Sequence, residues 1–149
     1  MKKCTFFLSL MILFTILHSC QNTNKTSQVI SNKTSHNIPS NTLDSIVRVI
    51  IPLSARDFYQ NQQPVPVGFK NVQLKYIQKT NGEELYLLCG QFETTDHQVV
   101  PFATIKNNEY EQWIGNNALT YCQNAQEIPY TMQNLSSALK NELDRLVHP

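Results

Sequence analysis

Glycine is scarce in this chain, and its scarcity excludes a large group of functions. Only 4 glycines occur among 149 residues, so no glycine-rich loop is present to cradle a phosphate or a dinucleotide. The sequence also contains no H-E-x-x-H zinc motif, no G-x-S-x-G nucleophile turn and no carboxylates paired at a catalytic spacing. We therefore expect no cofactor, no metal ion and no enzymatic activity.

An excess of charge of either sign is also lacking. The chain has 12 basic and 11 acidic residues, which gives a formal net charge of +1. A protein that binds nucleic acid through its phosphates needs a basic stripe or patch, and none is visible here. The sequence therefore predicts no nucleic-acid partner.

The N-terminus has the pattern of a secretory signal. Lys2 and Lys3 precede an apolar run from Thr5 to Leu17, which polar His18 and Ser19 end. The run has the length of a signal peptide and is shorter than the roughly 20 residues that cross a bilayer as a helix. We predict a signal peptide over residues 1–19; the alternative is an uncleaved anchor helix.

Cys20 determines the expected location. Leu17-His18-Ser19-Cys20 has the pattern of a bacterial lipobox, with an apolar residue three positions before the cysteine and a small residue just before it. We expect Cys20 to become the first mature residue and to carry acyl chains, which together anchor a protein firmly in a membrane. Gln21 follows instead of an aspartate, which favours the inner leaflet of the outer membrane, with the protein facing the periplasm.

A polar segment follows the lipobox. Residues 21–41 consist almost entirely of Asn, Thr, Ser, Gln and Lys, which cannot bury a core. A random coil of this length spans about 25 Å. The predicted organisation is a signal peptide over residues 1–19, a lipidated cysteine and flexible tether over 20–41, and one small domain over 42–149.

Only two cysteines remain for the folded domain. Cys4 leaves with the signal and Cys20 carries lipid, so Cys89 and Cys122 form a single pair in an oxidising compartment. Such a pair predicts a disulfide. A metal site and a reactive thiol are the alternatives, but no C-x-x-C motif or histidine pair favours a metal.

The apolar periodicity predicts a helix, three strands and a final helix. Asn41 or Thr42 is expected to cap the first helix, Pro52 to interrupt it, and 54–61 to continue as a further turn or short helix. Asn81-Gly82 predicts a hairpin, and Pro101 favours an edge position for the third strand. The predicted strands are Phe69–Gln78, Glu84–Phe92 and Val99–Ile105, followed by Tyr110–Ile114 as a short strand or a helical turn.

The C-terminal part completes the expected fold. Residues 116–129 are predicted to be irregular, and Thr131 to cap a helix. Its apolar stripe belongs in the core, with a groove-binding helix as the alternative, and comprises Met132, Leu135, Leu139, Leu143 and Leu146. The fold class is α+β: an antiparallel meander of three to four strands with N- and C-terminal helices packed on it and one disulfide.

Two groups of residues are candidates for a functional site. Trp113, the single tryptophan, has Tyr110 and Tyr121 nearby, and the three predict either an exposed aromatic patch for a protein partner or a core cluster. Asp96-His97 is the only adjacent pair of an acid and a histidine. It lies in a polar turn without a nucleophile at a suitable spacing, so we interpret it as a surface turn.

Three short segments carry a resemblance. The segment 52–58 (P-L-S-A-R-D-F), then Cys89-Gly90 and Pro101-Phe102, resembles a pattern of small bacterial envelope lipoproteins of unknown function. That pattern has an aspartate where this chain has Ile51, lacks an equivalent of Asp57, and has a glycine-rich turn in place of residues 94–98. The resemblance implies a fold and a location, and it implies no activity.

These observations favour a lipid-anchored, periplasm-facing protein that binds another protein of the periplasm or envelope. An immunity or inhibitor protein is the specific version. The alternatives are an envelope-assembly accessory, a structural lipoprotein and, less favoured, a small hydrolase that uses Asp96-His97.

Overall fold

A computed structural model describes residues 38–106 and 109–149 of the chain; the predicted signal peptide, Cys20 and most of the predicted tether lie outside these ranges. Along the chain, the order of the elements is α1, four strands, α2, a fifth strand and α3. Their bounds are α1 Ser40–Asn61, β1 Gly68–Gln78, β2 Glu84–Glu93, β3 Val99–Lys106, β4 Tyr110–Ile114, α2 Asn116–Asn124, β5 Gln126–Glu127 and α3 Leu135–Val147.

The strands form one antiparallel sheet in the order β4-β3-β2-β1-β5. β1 to β4 are a meander, and α2 carries the chain across the sheet to place β5 beside β1. The predicted α+β class is confirmed, together with the N- and C-terminal helices and the disulfide. Tyr110–Ile114 is a strand, which resolves the alternative left by its sequence.

The first helix is continuous, so the predicted interruption at Pro52 is wrong. Pro52 lies inside α1, where it removes one backbone donor. The helix persists because its buried face, from Leu43 to Phe58, packs on the sheet on both sides of the proline. The predicted cap is also wrong, since the helix begins at Ser40 and the cap position is Pro39, without a side-chain cap.

β1 contains an irregularity that the sequence did not predict. Its register with β2 shifts between Lys70 and Gln73, and Asn71 has a φ of 53°. This bulge inserts one extra residue, so Phe69 and Val72 are both buried although they stand three positions apart.

The Asn81-Gly82 hairpin is confirmed. Gly82 has a φ of 82°, a conformation that glycine adopts without steric cost. The amide of Glu83 donates to Asn81 Oδ1 at 3.0 Å, and the amide of Lys79 donates to the Glu83 carbonyl at 2.8 Å, which closes the turn.

β3 lies inside the sheet, between β2 and β4, so its predicted edge position is wrong. Pro101 is tolerated because the pairing of β4 with β3 ends at Phe102, one residue away. The carbonyl of Pro101 accepts the amide of Gly115 at 2.8 Å. The nitrogen of Pro101 points to the same side of the strand as this carbonyl, beyond the end of β4. No described strand lies there that needs a backbone N–H from residue 101, so the proline costs the sheet no hydrogen bond.

The two faces of the sheet bury separate cores. α1 and α3 cover one face, where the Phe58 ring makes edge contacts with Phe69, Phe92 and Phe102 at centroid distances of 5.0, 5.2 and 5.1 Å. α2 covers part of the other face. Its core comprises Leu87, Cys89, Ala103, Ile105 and Ala118.

The helix α2 corrects the prediction that residues 116–129 are irregular. Its sequence, NNALTYCQN, is polar and shows no long apolar stripe. Only Ala118 is fully buried, so the helix has no apolar face of its own that would specify it. Tertiary contacts therefore stabilise this short helix more than its own periodicity does.

The last helix confirms most of its predicted stripe. Leu135, Leu139 and Leu143 are buried, and Leu146 is partly buried. Asn134 caps the helix by accepting the Ser137 amide at 3.0 Å, so the predicted cap at Thr131 is wrong. Met132 therefore precedes the helix, and it is 66 % exposed rather than in the core.

Candidate interaction surface

The three aromatic residues singled out by the sequence do not form one patch. Tyr110 and Trp113 stand three positions apart on β4, and alternation along a strand sends them to opposite faces of the sheet. Trp113 joins the core under α2, whereas Ile114, which shares a face with Tyr110, joins the core under α1. Tyr110 is therefore not part of a surface with Trp113.

Trp113 and Tyr121 do meet. Their ring centroids lie 5.5 Å apart with planes tilted by 30°. Trp113 Nε1 donates to Glu111 Oε2 at 3.1 Å, which satisfies the indole N–H. Both rings are partly buried against the core under α2, so each keeps an accessible part. We call this pair the Trp113–Tyr121 surface.

The disulfide holds the helix that carries Tyr121. Cys89 in the middle of β2 bonds to Cys122 in α2 with a Cα–Cα distance of 5.8 Å, as the sequence predicted. Lys75 Nζ donates to the Cys122 carbonyl at 3.0 Å and adds a second tie between the helix and the sheet. Tyr121 therefore stands next to a fixed point of the fold.

Other apolar side chains border the core under α2. Ile77 and Leu85, which pair across β1 and β2, are partly buried against the same core. Leu119 on α2 is 40 % exposed. Since α2 has only nine residues, it covers part of this face and leaves apolar side chains at its border partly accessible.

The Asp96-His97 turn is open to solvent. The His97 side chain is 83 % exposed, and its Nδ1 lies 2.9 Å from Glu93 Oε1. Lys70, at 2.7 Å, is the main cause that lowers the pKa of Glu93, and the hydrogen bond from Thr94 lowers the pKa of Asp96. These contacts shape the turn, and His97 has a φ of 62° there. His97 is therefore in contact with bulk water, whereas a catalytic proton transfer requires a shielded site.

A buried polar cluster between α1 and β3–β4 was missed by sequence reasoning. Ser54 Oγ and Thr104 Oγ1 are fully buried and lie 2.8 Å apart. Gln112 Nε2 donates to both hydroxyls at 3.2 Å, while Gln112 Oε1 finds no partner among the described residues. The signal in the sequence was Ser54 standing within the apolar face of α1.

Tyr110 borders this cluster. Burial, followed by the negative charge of Asp57, raises the pKa of Tyr110, and the neighbouring hydroxyls of Thr104 and Ser54 oppose that rise. Burial also raises the pKa of Asp57, which a 2.7 Å hydrogen bond from Asn61 partly offsets. The cluster links β4 to α1, and its centre, Ser54 and Thr104, is fully buried.

The segments that carry the envelope-lipoprotein resemblance meet in the core. Ser54, Phe58 and Phe102 are each fully buried. A Cβ on Gly90 would lie 2.8 Å from Val72 Cγ2, so that position requires glycine. Packing accounts for these residue types, which is why they point to a fold rather than to a site.

A surface cleft of about 500 Å³ lies between the β1 bulge and the start of α3. Its lining is mixed, with Asn71, Gln73, Tyr130 and Asn134 among the polar members and Val72 and Ile128 among the apolar ones. Its ionisable lining residues are Glu127 and Tyr130.

Comparisons with protein-family models, with curated proteins and with solved structures each found no match. Within residues 38–106 and 109–149, no helix has the length and apolar content needed to cross a bilayer. In the same ranges, no group of three or more His, Cys, Asp or Glu side chains is arranged as metal ligands would be. Cys20 lies outside the described residues, and its lipidation stays a prediction.

Proposed function

We propose that this protein is a bacterial lipoprotein, anchored through acyl chains on Cys20 in the outer membrane and facing the periplasm, which acts by binding another protein rather than by catalysis. The Trp113–Tyr121 surface is the observation that carries the binding role. Tryptophan and tyrosine are the residue types most enriched at the energetic centres of protein interfaces.

Rigidity supports this role. The Cys89–Cys122 disulfide and the Lys75 hydrogen bond fix α2, so Tyr121 loses little conformational freedom when a partner binds. A disulfide in a small domain also fits the oxidising compartment that the lipobox implies. The polar tether then allows a rigid binding domain to search the space below the membrane.

Site-specific cross-linking in cells tests the binding role. A photoreactive amino acid at Tyr121 should yield a cross-linked product with a second, different protein. Tyr59 is the matched control, because it is also a tyrosine, is 41 % exposed and lies on α1, across the sheet from α2. Equal products from both positions, or none from Tyr121, would contradict the proposal.

Lipid attachment is tested separately. Cys20→Ser should abolish labelling by a palmitate analogue and release the protein from the membrane fraction, because the thiol is the group that receives the lipid. Retention of label, or of membrane association, in this variant would refute the anchor.

An immunity or inhibitor protein is the specific version that we propose. A deletion strain should then lose survival when mixed with a toxin-delivering neighbour, and the wild-type gene should restore it. An envelope-assembly accessory would instead make the deletion strain sensitive to detergent in pure culture, which distinguishes the two roles.

A further inference from the structure

The two edges of the sheet differ in how well they are covered. At one edge, β5 has two residues, and the backbone groups of β1 beyond it have other partners. The Ile128 amide donates to the Leu74 carbonyl at 2.9 Å, and the Val72 amide donates to Ser136 Oγ at 3.1 Å. The bulge at Asn71 also twists this edge, a common device against unwanted strand pairing.

Among residues 38–106 and 109–149, nothing covers or twists the β4 edge in these ways. Its register with β3, together with the 2.8 Å bond from the Gly115 amide to the Pro101 carbonyl, turns the amides and carbonyls of residues 111 and 113 toward β3. The backbone groups of Tyr110, Gln112 and Ile114 therefore point outward. In the described part of the chain no backbone group pairs with them. The strand YEQWI holds no lysine or proline, and its register with β3 has no bulge.

This edge is already held in the conformation that pairing requires. On one face, the Gln112 side chain is bonded to Ser54 and Thr104. On the other face, Trp113 packs with Tyr121. Because side chains on both faces of β4 are already fixed, the strand loses little conformational entropy when another strand pairs with it.

The sequence of β4 is complementary to itself in one antiparallel register. The outward backbone groups of the two strands must face each other, and only registers centred on residue 111, 112 or 113 form more than one hydrogen-bonded pair. Centring on Gln112 pairs all three outward residues: Gln112 with itself, and Tyr110 with Ile114 of the second copy. The other two registers each lose one of these hydrogen-bonded pairs, and centring on 111 places Glu111 directly opposite its own copy.

The register centred on Gln112 also has the best side-chain pairs. It places Glu111 opposite Trp113 of the second copy in a non-hydrogen-bonded pair, the pair type whose side chains lie closest. No like charges then stand opposite each other. Glu111 already accepts a hydrogen bond from the Trp113 indole within one chain at 3.1 Å, so the same chemistry recurs between chains.

We propose that β4 is a homodimer interface, at which two copies of this chain pair their β4 strands antiparallel about Gln112 into one continuous ten-stranded sheet. The two-fold axis is perpendicular to the sheet. Both copies of the Trp113–Tyr121 surface consequently face the same side, next to each other. This inference extends the proposed function, because a single partner would meet a doubled surface.

A charge-swap series tests the interface in the full chain, purified with detergent micelles in excess and measured by analytical ultracentrifugation. The wild type should form dimers at micromolar concentration. Trp113→Glu should weaken the dimer at least tenfold, because it sets Glu opposite Glu111. Trp113→Lys removes the same ring but sets an ammonium opposite Glu111, so it should remain dimeric. Glu111→Lys combined with Trp113→Glu restores opposite charges and should recover the dimer.

Hydrogen exchange provides a second measurement that needs no substitution. The outward amides of Tyr110, Gln112 and Ile114 should exchange more slowly as the wild-type concentration rises, while exchange in β1 stays constant. A wild type that stays monomeric at 100-fold higher concentration would refute the interface. So would equal behaviour of Trp113→Glu and Trp113→Lys when both retain the wild-type circular dichroism.

Failure of this inference differs from failure of the proposed function. If cross-linking at Tyr121 captures a different protein but the β4 amides show no concentration dependence, only the dimer is wrong. If the β4 amides are protected but Tyr121 captures nothing apart from this chain, the dimer stands and the binding role is wrong.

Discussion

Breaking the Cys89–Cys122 disulfide should destabilise the domain by about 3–4 kcal/mol. The two cysteines are separated by 33 residues, and closing a loop of that size removes about 12–13 cal/mol/K from the entropy of the unfolded chain, or about 3.7 kcal/mol at 25 °C. Domains of this size have total stabilities of roughly 5–15 kcal/mol, so the loss is a large share. Each kcal/mol moves the melting temperature by about 4 °C, which predicts a fall of roughly 15 °C.

Urea unfolding with and without reductant measures this effect directly. Trp113 is the single tryptophan and lies on the face that α2 covers, so its fluorescence reports the loss of that contact. Substitutions separate the cross-link from packing. Cys122→Ala should cost about as much as reduction, whereas Cys89→Ala should cost about 1 kcal/mol more, because Cys89 is only 4 % exposed and its sulfur packs in the core.

The result that would refute the reasoning is an unchanged unfolding midpoint after full reduction. Intact mass provides the companion check, since the oxidised protein should be about two hydrogens lighter than the reduced one. Two free thiols in protein purified from the periplasm would contradict both the bond and the oxidising location.

The remaining predictions address packing, the polar turn and titration. Leu139→Ala, at a fully buried position of α3, should cost about 2–5 kcal/mol, whereas Met132→Ala, 66 % exposed before that helix, should cost less than about 0.5 kcal/mol in the same urea titration. His97→Ala should change stability by less than about 0.5 kcal/mol and should complement a deletion strain fully; loss of function at a normal protein level would make that turn a site. Burial, followed by Glu84, raises the pKa of Tyr86 to about 12, so its stabilising contribution should be present below pH 10 and be lost as the pH rises toward 12. Absorbance at 295 nm should show this late titration in the folded protein and an ordinary one in urea.

Local signals in the sequence predicted the strands well. The Asn81-Gly82 pair fixed the hairpin, because a positive φ is needed there and glycine supplies it at Gly82. Alternation along β2 sends Leu87 and Cys89 to one face and Leu88 to the other, and these residues lie in separate cores. These signals succeed because each depends on a few adjacent residues.

Helix limits were predicted less well, since packing outweighs local preference there. Pro52 is a strong local signal for a helix end, yet α1 continues through it because Ile50, Ala55 and Phe58 are held against the sheet. The helix α2 has almost no periodic signal of its own. It forms where the disulfide and the contacts of Ala118 hold it on the sheet.

The candidate site shows the same division. Sequence reasoning named Trp113, Tyr121 and Tyr110 together, but whether residues 110–114 formed a strand or a turn decided which of them share a face. The strand places Trp113 with Tyr121 and sends Tyr110 toward the buried cluster of Ser54, Thr104 and Gln112. That cluster joins residues up to 58 positions apart, so no local pattern predicts it.

The sequence by itself determined the features that depend on composition and short range: the signal-like pattern before Cys20, the polar composition of residues 21–41, the α+β class, the hairpin and the cysteine pair that forms the disulfide. Only the tertiary structure decided which side chains meet and which backbone edge stays open. Burial and strand order are properties of the whole chain, because each surface is covered or left free by elements that lie far away in sequence. Within the described part of the chain, the open β4 edge and the Trp113–Tyr121 surface arise for that reason.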